Sequence, residues 1–349
     1  MKELTLMLSY YPPGIPRIEK HFAVDNTHQL YIEEYGNPEG IPVIVIHGGP
    51  GGNSNPDLAR YFNPEKYRII LYDQRGSGKS IPRNCLINNT VENSIEDLEK
   101  IRLELKLKKP VLFGGSWGST LALLYAERYP NNIRALILRG VYLAGNSAYM
   151  QEDSIAARTH PKEWIEFKKA VFTHNPEITR SYNELLKELE KFATNEDPKI
   201  WKPVAMALAR WETINSESNP ETLKIQLAKL DNDPVAQEAA WTMGRLEIFY
   251  KSNRFWLTEN QILNDAFKLK NVPVYIVHGH HDNVCHPSFP QLLIDRLRKA
   301  NINFLHVSWT DAGHAGTEPA NIRALVEATN DFAVQFEPRE TIKDTLPSM

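Results

Sequence analysis

The sequence predicts an α/β protein whose mostly parallel central sheet is interrupted by a helical segment. Short apolar runs alternate with helical patterns through residues 1–143, amphipathic helical patterns alone fill residues 144–267, and the alternation returns in residues 268–349. Strands and helices that alternate in this way form parallel sheets with right-handed crossovers. We therefore expect one α/β core built from the first and last segments, with the middle segment inserted as a helical cap.

The expected core strands are short runs rich in Val, Ile and Leu, which are typical of strands buried on both faces of a sheet. They are residues 43–46, 68–72, 110–113, 134–138, 272–277 and 304–308. Ahead of them, residues 18–24 and 30–35 alternate like an antiparallel hairpin that turns at Asp25-Asn26. Helices are expected over 94–105, where apolar residues recur on one face, and over 290–299.

Composition excludes several classes of protein. With 42% hydrophobic and 24% charged residues, the chain is an ordinary globular protein, and a net charge of −3 without a basic stripe argues against a nucleic-acid partner. No apolar run approaches the roughly 18 residues of a membrane span, and no signal peptide is recognisable. Two isolated cysteines, Cys85 and Cys285, suit a reducing compartment. We expect a cytoplasmic protein; the sequence gives no prediction of oligomeric state.

The most informative motif is Gly114-Gly-Ser-Trp-Gly118, which stands between an apolar run and a helical pattern. A bare G-x-S-x-G often forms an ordinary glycine-rich turn. Between a strand and a helix it describes a nucleophile elbow, a sharp turn that exposes the serine hydroxyl. Ser116 is therefore the candidate nucleophile.

A serine hydroxyl needs a nearby base and a third group that orients this base. On this type of elbow the chain order is Ser, then Asp or Glu, then His. Asp282 and His314 fill these places, each in a loop past the carboxyl end of an expected strand, where ligands gather in open α/β sheets. Asp311 is the alternative acid, but it shares the loop of His314 and is less able to orient it.

Two other loops bear on the chemistry. His47-Gly-Gly-Pro-Gly-Gly52 follows a buried strand and matches a glycine-rich oxyanion loop, so the N–H groups of Gly49 and Trp117 are the expected oxyanion donors. The spacing of its glycines does not fit a phosphate-binding loop. Residues 73–80 also lack the spacing of a nucleotide loop and are expected to form a structural turn.

Four histidines crowd one loop and raise the question of a metal. They are His278, His280, His281 and His286. Their spacing matches no known ligand pattern, so neither a metal nor a cofactor is expected.

The chain resembles the proline iminopeptidases, serine peptidases of the α/β-hydrolase fold. The resemblance extends from about Tyr11 to about Ala333. It is most specific in residues 35–38, 47–52, 73–78, 114–123 and 138–140. It implies the α/β-hydrolase fold, with the helical insertion capping the site. It also implies removal of an N-terminal residue, above all proline, from small peptides with a free N-terminus.

The resemblance also implies the residues that bind the substrate. Glu212 and Glu247, in the cap, would hold the free amine, and Arg139 would fix the two glutamates electrostatically. Tyr142 would offer its ring to the pyrrolidine, and Cys285 would line the pocket. Physical chemistry agrees for the glutamates, because a cationic amine in a partly dehydrated pocket requires counter-charges.

These expectations describe a serine aminopeptidase that acts through an acyl-enzyme. Two alternatives stay open. One is an esterase or lactonase of the same fold with the same three residues, and the other is a non-catalytic ligand receptor on this fold. The intact set of Ser116, Asp282 and His314 argues against the receptor.

Overall fold

The computed structural model describes residues 9–145, 157–172 and 182–336, in which eight strands form one sheet. The strands are β1 (Ile18–Ala23), β2 (Gln29–Gly36), β3 (Ile41–Ile46), β4 (Tyr67–Tyr72), β5 (Val111–Gly115), β6 (Ala135–Arg139), β7 (Val274–Gly279) and β8 (Leu305–Thr310). Their order is β1-β2-β4-β3-β5-β6-β7-β8, antiparallel from β1 to β4 and parallel from β4 to β8. The predicted α/β class with a mostly parallel sheet is confirmed.

Together with three short 3₁₀ helices, ten α-helices of the described residues complete the fold. They are α1 (Val91–Glu104), α2 (Trp117–Arg128), α3 (Pro161–Val171), α4 (Tyr182–Ala193), α5 (Pro198–Ser216), α6 (Pro220–Asn232), α7 (Pro234–Ser252), α8 (Gln261–Asp265), α9 (Ser288–Lys299) and α10 (Pro319–Phe336). None of these helices is both long enough and apolar enough to cross a membrane.

Both faces of the sheet are covered, which explains why the core strands read as unbroken apolar runs. In β3, Ile44 and Ile46 pack in a cluster with residues of α1, α2 and α9. Val43 and Val45, which alternate with them, pack on the other face in a cluster with residues of α10. Each fully buried side chain of this kind stabilises the fold by about 1.5–3 kcal/mol.

The helices α3 to α7 lie in the chain between β6 and β7. Residues of α3, α4, α5 and α7 share an apolar cluster of their own, which includes Phe167, Leu208 and Trp211. Helices α5 and α7 approach closely at Gly244, where any Cβ would collide with the carbonyl oxygen of Ala205. The cap boundaries at residues 144 and 267 stay a prediction, as does the division of the flanking core, and residues 1–8, 146–156, 173–181 and 337–349 lie outside the described part.

Local sequence fixes where three of these helices begin. Helices α5, α6 and α7 each start with a proline that follows an Asp or Asn, and the side chain of that residue accepts a backbone N–H of the first turn. The pairs are Asp197-Pro198, Asn219-Pro220 and Asp233-Pro234. Proline suits the first helical position because its missing N–H would have no partner there, and Asp or Asn is a strong N-cap.

Helix α7 is anchored to the core at two places. The Tyr250 hydroxyl donates to Asn89 Oδ1 at 2.8 Å and lies 3.3 Å from Ser94 Oγ. One turn earlier, Leu246 packs against Gly51 so closely that a Cβ on the glycine would lie 2.8 Å from Leu246 Cβ. The helix therefore rests directly on the glycine-rich loop of residues 47–52.

Candidate active site

Ser116 occupies a strained turn between β5 and α2. Its backbone φ and ψ are 56° and −126°, a region that residues with a side chain rarely adopt. The turn closes only because its flanks are glycines: a Cβ at Gly114 would collide with the Gly118 carbonyl, and one at Gly118 with the carbonyl of Ile46. The geometry is that of a nucleophile elbow, and the Ser116 side chain is half-buried.

Asp282 and His314 form a buried pair. His314 Nδ1 donates to the carboxylate, at 3.0 Å from Oδ1 and 2.9 Å from Oδ2. Asp282 also accepts the N–H groups of Val284 at 3.0 Å and Cys285 at 2.7 Å. Although burial alone would raise it, the pKa of Asp282 is held below its usual range by the charge and hydrogen bond of His314. Asp282 is thus ionised, and its hydrogen bond with Nδ1 leaves Nε2 as the ring nitrogen available to the reaction.

His314, in the loop after β8, lies beside the carboxyl end of β6, and this end of β6 also anchors Ser116. The Ser116 N–H donates to the Arg139 carbonyl at 2.9 Å, and a Cβ on the next residue, Gly140, would lie 3.2 Å from His314 Cε1. Among the described residues no hydrogen bond joins Ser116 Oγ to His314; the nearest polar contact of Nε2 is Arg139 Nη1, at 3.5 Å. Such bonds are often completed only with substrate present.

The alternative acid takes no part in this arrangement. Asp311 is almost fully exposed, and its carboxylate accepts His281 Nε2 at 2.8 Å. The structure therefore places Asp282, and not Asp311, against the imidazole of His314.

The clustered histidines make separate contacts. His278 donates from Nε2 to the Cys285 carbonyl at 2.8 Å and accepts the Val141 N–H at Nδ1, at 3.1 Å. Burial lowers the pKa of His278 to about 4, so its ring is neutral. His280 stacks on Trp309, and His286 contacts Ser288. Each of these three histidines thus makes contacts of its own.

One other group could hold a metal. Asp282, Cys285 and His314 place ligand atoms within 4.8 Å of one another. The two Asp282 oxygens already accept three N–H groups, from His314, Val284 and Cys285. Hydrogen bonding thus accounts for the arrangement of these residues.

The glycine-rich loop lies against Ser116 and can present backbone N–H groups there. A Cβ at Gly48 would be 3.4 Å from Ser116 Cβ, so the loop passes in van der Waals contact with the serine. Gly49 has a φ of 116°, which favours glycine. Trp117 is the first residue of α2, and N–H groups at this position have no partner inside the helix. Gly49 and Trp117 therefore lie beside Ser116, and their role as oxyanion donors stays a prediction.

Residues 73–80 support that loop from behind. The Gln74 N–H donates to His47 Nε2 at 3.0 Å, and Trp117 Nε1 donates to Gln74 Oε1 at 3.0 Å. Arg75 is buried and binds Asp97 with two hydrogen bonds, of 2.5 and 2.7 Å. These side chains bind the protein itself, in keeping with the predicted structural turn.

A small cavity of about 30 Å³ joins the serine to the cap. Its walls are Gly49, Pro50, Ser116, Tyr142, Glu212, Glu247, Lys251, Phe255, Val284 and Cys285. Four of the five predicted substrate-binding residues thus line this cavity with Ser116, whereas Arg139 lines a different cavity beside the serine.

The two glutamates share a buried lysine. Lys251 Nζ lies 2.7 Å from Glu247 Oε1 and 3.3 Å from Glu212 Oε1. Burial, and then the charge of Glu212, raise the pKa of Glu247 to about 8, against the lowering effect of Lys251. Glu247 therefore binds a proton far more tightly than an exposed glutamate.

Comparison with known proteins gives the family. Residues 41–316 match the family model described as the alpha/beta hydrolase fold. A proline iminopeptidase of Xylella fastidiosa is 36% identical over 334 residues, which are 93% of this chain and 100% of that protein. A proline iminopeptidase of Arabidopsis thaliana is 34% identical over 321 residues, 91% of this chain and 80% of that protein.

The chain belongs to the proline iminopeptidase family. A solved structure, a hydrolase from Pseudomonas aeruginosa, is similar with a TM-score of 0.60, covering 89% of this chain and 98% of that chain. Its sequence identity is 15%, so it supports the fold alone. The predicted α/β-hydrolase fold is confirmed.

We call the cavity lined by Glu212 and Glu247 the acidic pocket. In this proline iminopeptidase family member, two features of the acidic pocket differ from expectation. We expected Arg139 to fix the glutamates, but its guanidinium contacts His314, and the cation beside Glu212 and Glu247 is Lys251. Sequence reasoning missed Lys251. Its only local signal was its position four residues after Glu247 on a helical pattern, where ion pairs form.

Proposed function

We propose that this protein is a serine aminopeptidase that removes N-terminal proline, and other small N-terminal residues, from short peptides. The observation that carries the proposal is the position of Glu212 and Glu247 on the wall of the same small cavity as Ser116. Two carboxylates beside a nucleophile suit a substrate that carries a cation next to its reacting carbonyl. A peptide with a free N-terminus has this property, and the relatives named proline iminopeptidases agree with it.

The acidic pocket selects the free amine by charge. When both carboxylates are ionised, they and Lys251 leave one net negative charge, which a monocationic pyrrolidinium balances. An N-acylated peptide has no such charge and would bury the carboxylates without a partner, which is costly. A cation beside Glu247 also favours its ionised form, so binding at neutral pH releases a proton. Tyr142 and Phe255 supply apolar surface to the ring in the same cavity.

The reaction then follows from the geometry at the elbow. Ser116 Oγ attacks the carbonyl carbon of the first residue while His314 Nε2 takes its proton. Asp282 stabilises the imidazolium, and the N–H groups of Gly49 and Trp117 bind the oxyanion. Each oxyanion donor lowers the barrier by about 2.7–4 kcal/mol in comparable enzymes.

Breakdown of the intermediate uses the same groups. His314 gives its proton to the leaving amine, which departs as the shortened peptide, and an ester of the first residue stays on Ser116. Water then attacks this ester with His314 as the base, and proline is released.

The test compares three substrates: a proline arylamide, its N-acetyl form and a proline ester. We expect the N-acetyl form to react at least about 100-fold more slowly, because it leaves a buried charge unpaired. The variant S116A should lose about 10⁴-fold or more of kcat on the arylamide. Equal rates on free and blocked substrates would point to the esterase alternative. Failure of a serine-reactive phosphonate to label the protein would point to the receptor.

We also propose a cytoplasmic location and peptides as the partners. Cys85 and Cys285 form no disulfide with each other or with the rest of the chain. This suits a reducing compartment.

A further inference from the structure

A second cavity, of about 250 Å³, adjoins Ser116 and has a different character from the cavity lined by Glu212 and Glu247. Its wall includes Gly48, which packs against Ser116, and Gly115, which precedes Ser116 in the chain. Arg139 also lines it. Asp57 is the acid on its wall, and its carboxylate is bound by Arg60 at 2.9 Å. The cavity therefore offers a cation next to the nucleophile, whereas the pocket in the cap offers carboxylates.

Two glycines make room for the Arg139 side chain. A Cβ at Gly115 would lie 2.6 Å from Arg139 Nη2, and one at Gly316 would lie 3.5 Å from Nε. Nη1 donates to the His314 carbonyl at 2.7 Å and lies 3.5 Å from His314 Nε2. The guanidinium is thus held at a defined place, beside the imidazole nitrogen that exchanges protons in the reaction.

Arg139 has no counter-ion in the part of the chain that the structure describes. No carboxylate of the described residues lies within ion-pair distance of its guanidinium, and its bonds are to the backbone and ring of His314. A guanidinium presents a planar fork that fits a carboxylate with two parallel hydrogen bonds. An uncompensated, half-buried arginine on a cavity wall is suited to a carboxylate brought by the ligand.

We propose that Arg139 binds the α-carboxylate of the residue that follows the scissile bond, so that the preferred substrates are dipeptides. This rests on the proposed function. The leaving nitrogen must come within hydrogen-bond reach of His314 Nε2, and in a dipeptide one carbon joins that nitrogen to the carboxylate group. The carboxylate therefore falls within a few ångströms of Nε2, where Nη1 already lies. The substrate is then bound at both ends, its amine in the acidic pocket and its carboxylate on Arg139.

This placement affects turnover as well as binding. A guanidinium 3.5 Å from Nε2 repels the imidazolium that forms when Ser116 is deprotonated. A carboxylate on Arg139 offsets that repulsion. A carboxamide, or the neutral amide of a longer peptide at the same place, does not offset the repulsion between the guanidinium and the imidazolium. The carboxylate should therefore raise kcat as well as lower KM, which a purely structural arginine would not cause.

The first test needs only the wild-type protein. Prolylalanine and prolylalaninamide differ only in the charge of the terminal group, and we expect kcat/KM to be at least about tenfold higher for the acid. Equal values for the two compounds would overturn the proposal. A proline arylamide, which has no carboxylate, reports on the proposed aminopeptidase function alone. Failure of the aminopeptidase proposal can therefore be told from failure of the proposed role of Arg139.

The second test uses the variants R139Q and R139K. In R139Q the ratio of kcat/KM for acid over amide should fall to within about threefold of unity, and R139K should keep an intermediate ratio because it keeps the charge but not the fork. The matched control is R134Q, at a half-buried arginine just before the other end of the same strand, which should keep the wild-type ratio. An acid-over-amide ratio in R139Q as high as that of the wild type would contradict the proposed role of Arg139. If R139Q does not fold, R139K and the wild-type comparison decide.

Discussion

Lys251 and Glu247 stand one helical turn apart on α7 and form a buried ion pair of 2.7 Å. The lysine also reaches Glu212 on α5, at 3.3 Å, so a cation of the protein already occupies part of the acidic pocket. Two carboxylates side by side repel each other, and a shared ammonium relieves this repulsion. We infer that Lys251 keeps both glutamates in place to receive the substrate amine.

The variant K251M tests this role. Without the ammonium, one carboxyl binds a proton more tightly and the pocket loses its attraction for a cation. We expect KM for a proline arylamide to rise about tenfold at neutral pH, with kcat changed by less than about threefold. Steady-state kinetics of wild type, K251M and the conservative K251R measure this. A lower KM in K251M would instead mean that the lysine competes with the substrate.

The raised pKa of Glu247 should make stability depend on pH. The unfolded carboxyl titrates near 4.3, while burial and then Glu212 raise the folded pKa to about 8. Between these values the folded state holds more protons, so the free energy of unfolding falls as pH rises.

Replacing the carboxyl by an amide removes this dependence. From about pH 5 to about pH 8, wild type should lose a few kcal/mol of stability relative to E247Q. Urea unfolding of both proteins across this range makes the comparison, and the other titrating groups cancel in the difference. Parallel pH profiles would show that Glu247 is ionised throughout.

The variant D282N should abolish most of the activity without unfolding the protein. An asparagine there stabilises the wrong tautomer of His314, so kcat should fall by about 10⁴-fold while KM changes little. The control is D311N, which removes the exposed acid on the loop of His314 and should alter kcat by less than about threefold. A large loss in D311N would reverse the assignment of the orienting acid.

The variant G115A should change substrate preference through Arg139. Its new Cβ would lie 2.6 Å from Nη2, so the guanidinium must move out of its slot. We expect the preference for prolylalanine over prolylalaninamide to shrink by about fivefold or more. The control G14A has room for its Cβ, which would lie 3.5 Å from Tyr35 Cδ1. An unchanged preference in G115A would show that the guanidinium does not need that slot.

The core and the positions of the candidate catalytic residues were predictable because their constraints act over short stretches of chain. Strands buried on both faces must be apolar at every position, so a run such as 43–46 shows itself without any knowledge of partners. The elbow at Ser116 requires glycines at fixed spacing, and the parallel sheet places loops such as that of His314 at the same edge. Strand ends still differed by one to two residues, with β3 starting at Ile41 and not at residue 43.

The electrostatic partners of the site were not predictable in this way. Whether Arg139 or Lys251 reaches the glutamates depends on how α5 and α7 cross, and that crossing is set by the contact of Gly244 with Ala205. Neither Gly244 nor Ala205 belongs to a sequence pattern that predicts this contact. A long cation also reaches several ångströms from its backbone, so its sequence position says little about its partner.

The contact of α7 with Gly51 couples the movements of the cap helix and of the glycine-rich loop of residues 47–52. The helix that carries Glu247, a proposed ligand of the substrate amine, packs on the loop that carries Gly49, a proposed oxyanion donor. A substitution that displaces α7 must also displace the loop. Changes at this contact therefore alter substrate affinity and turnover together.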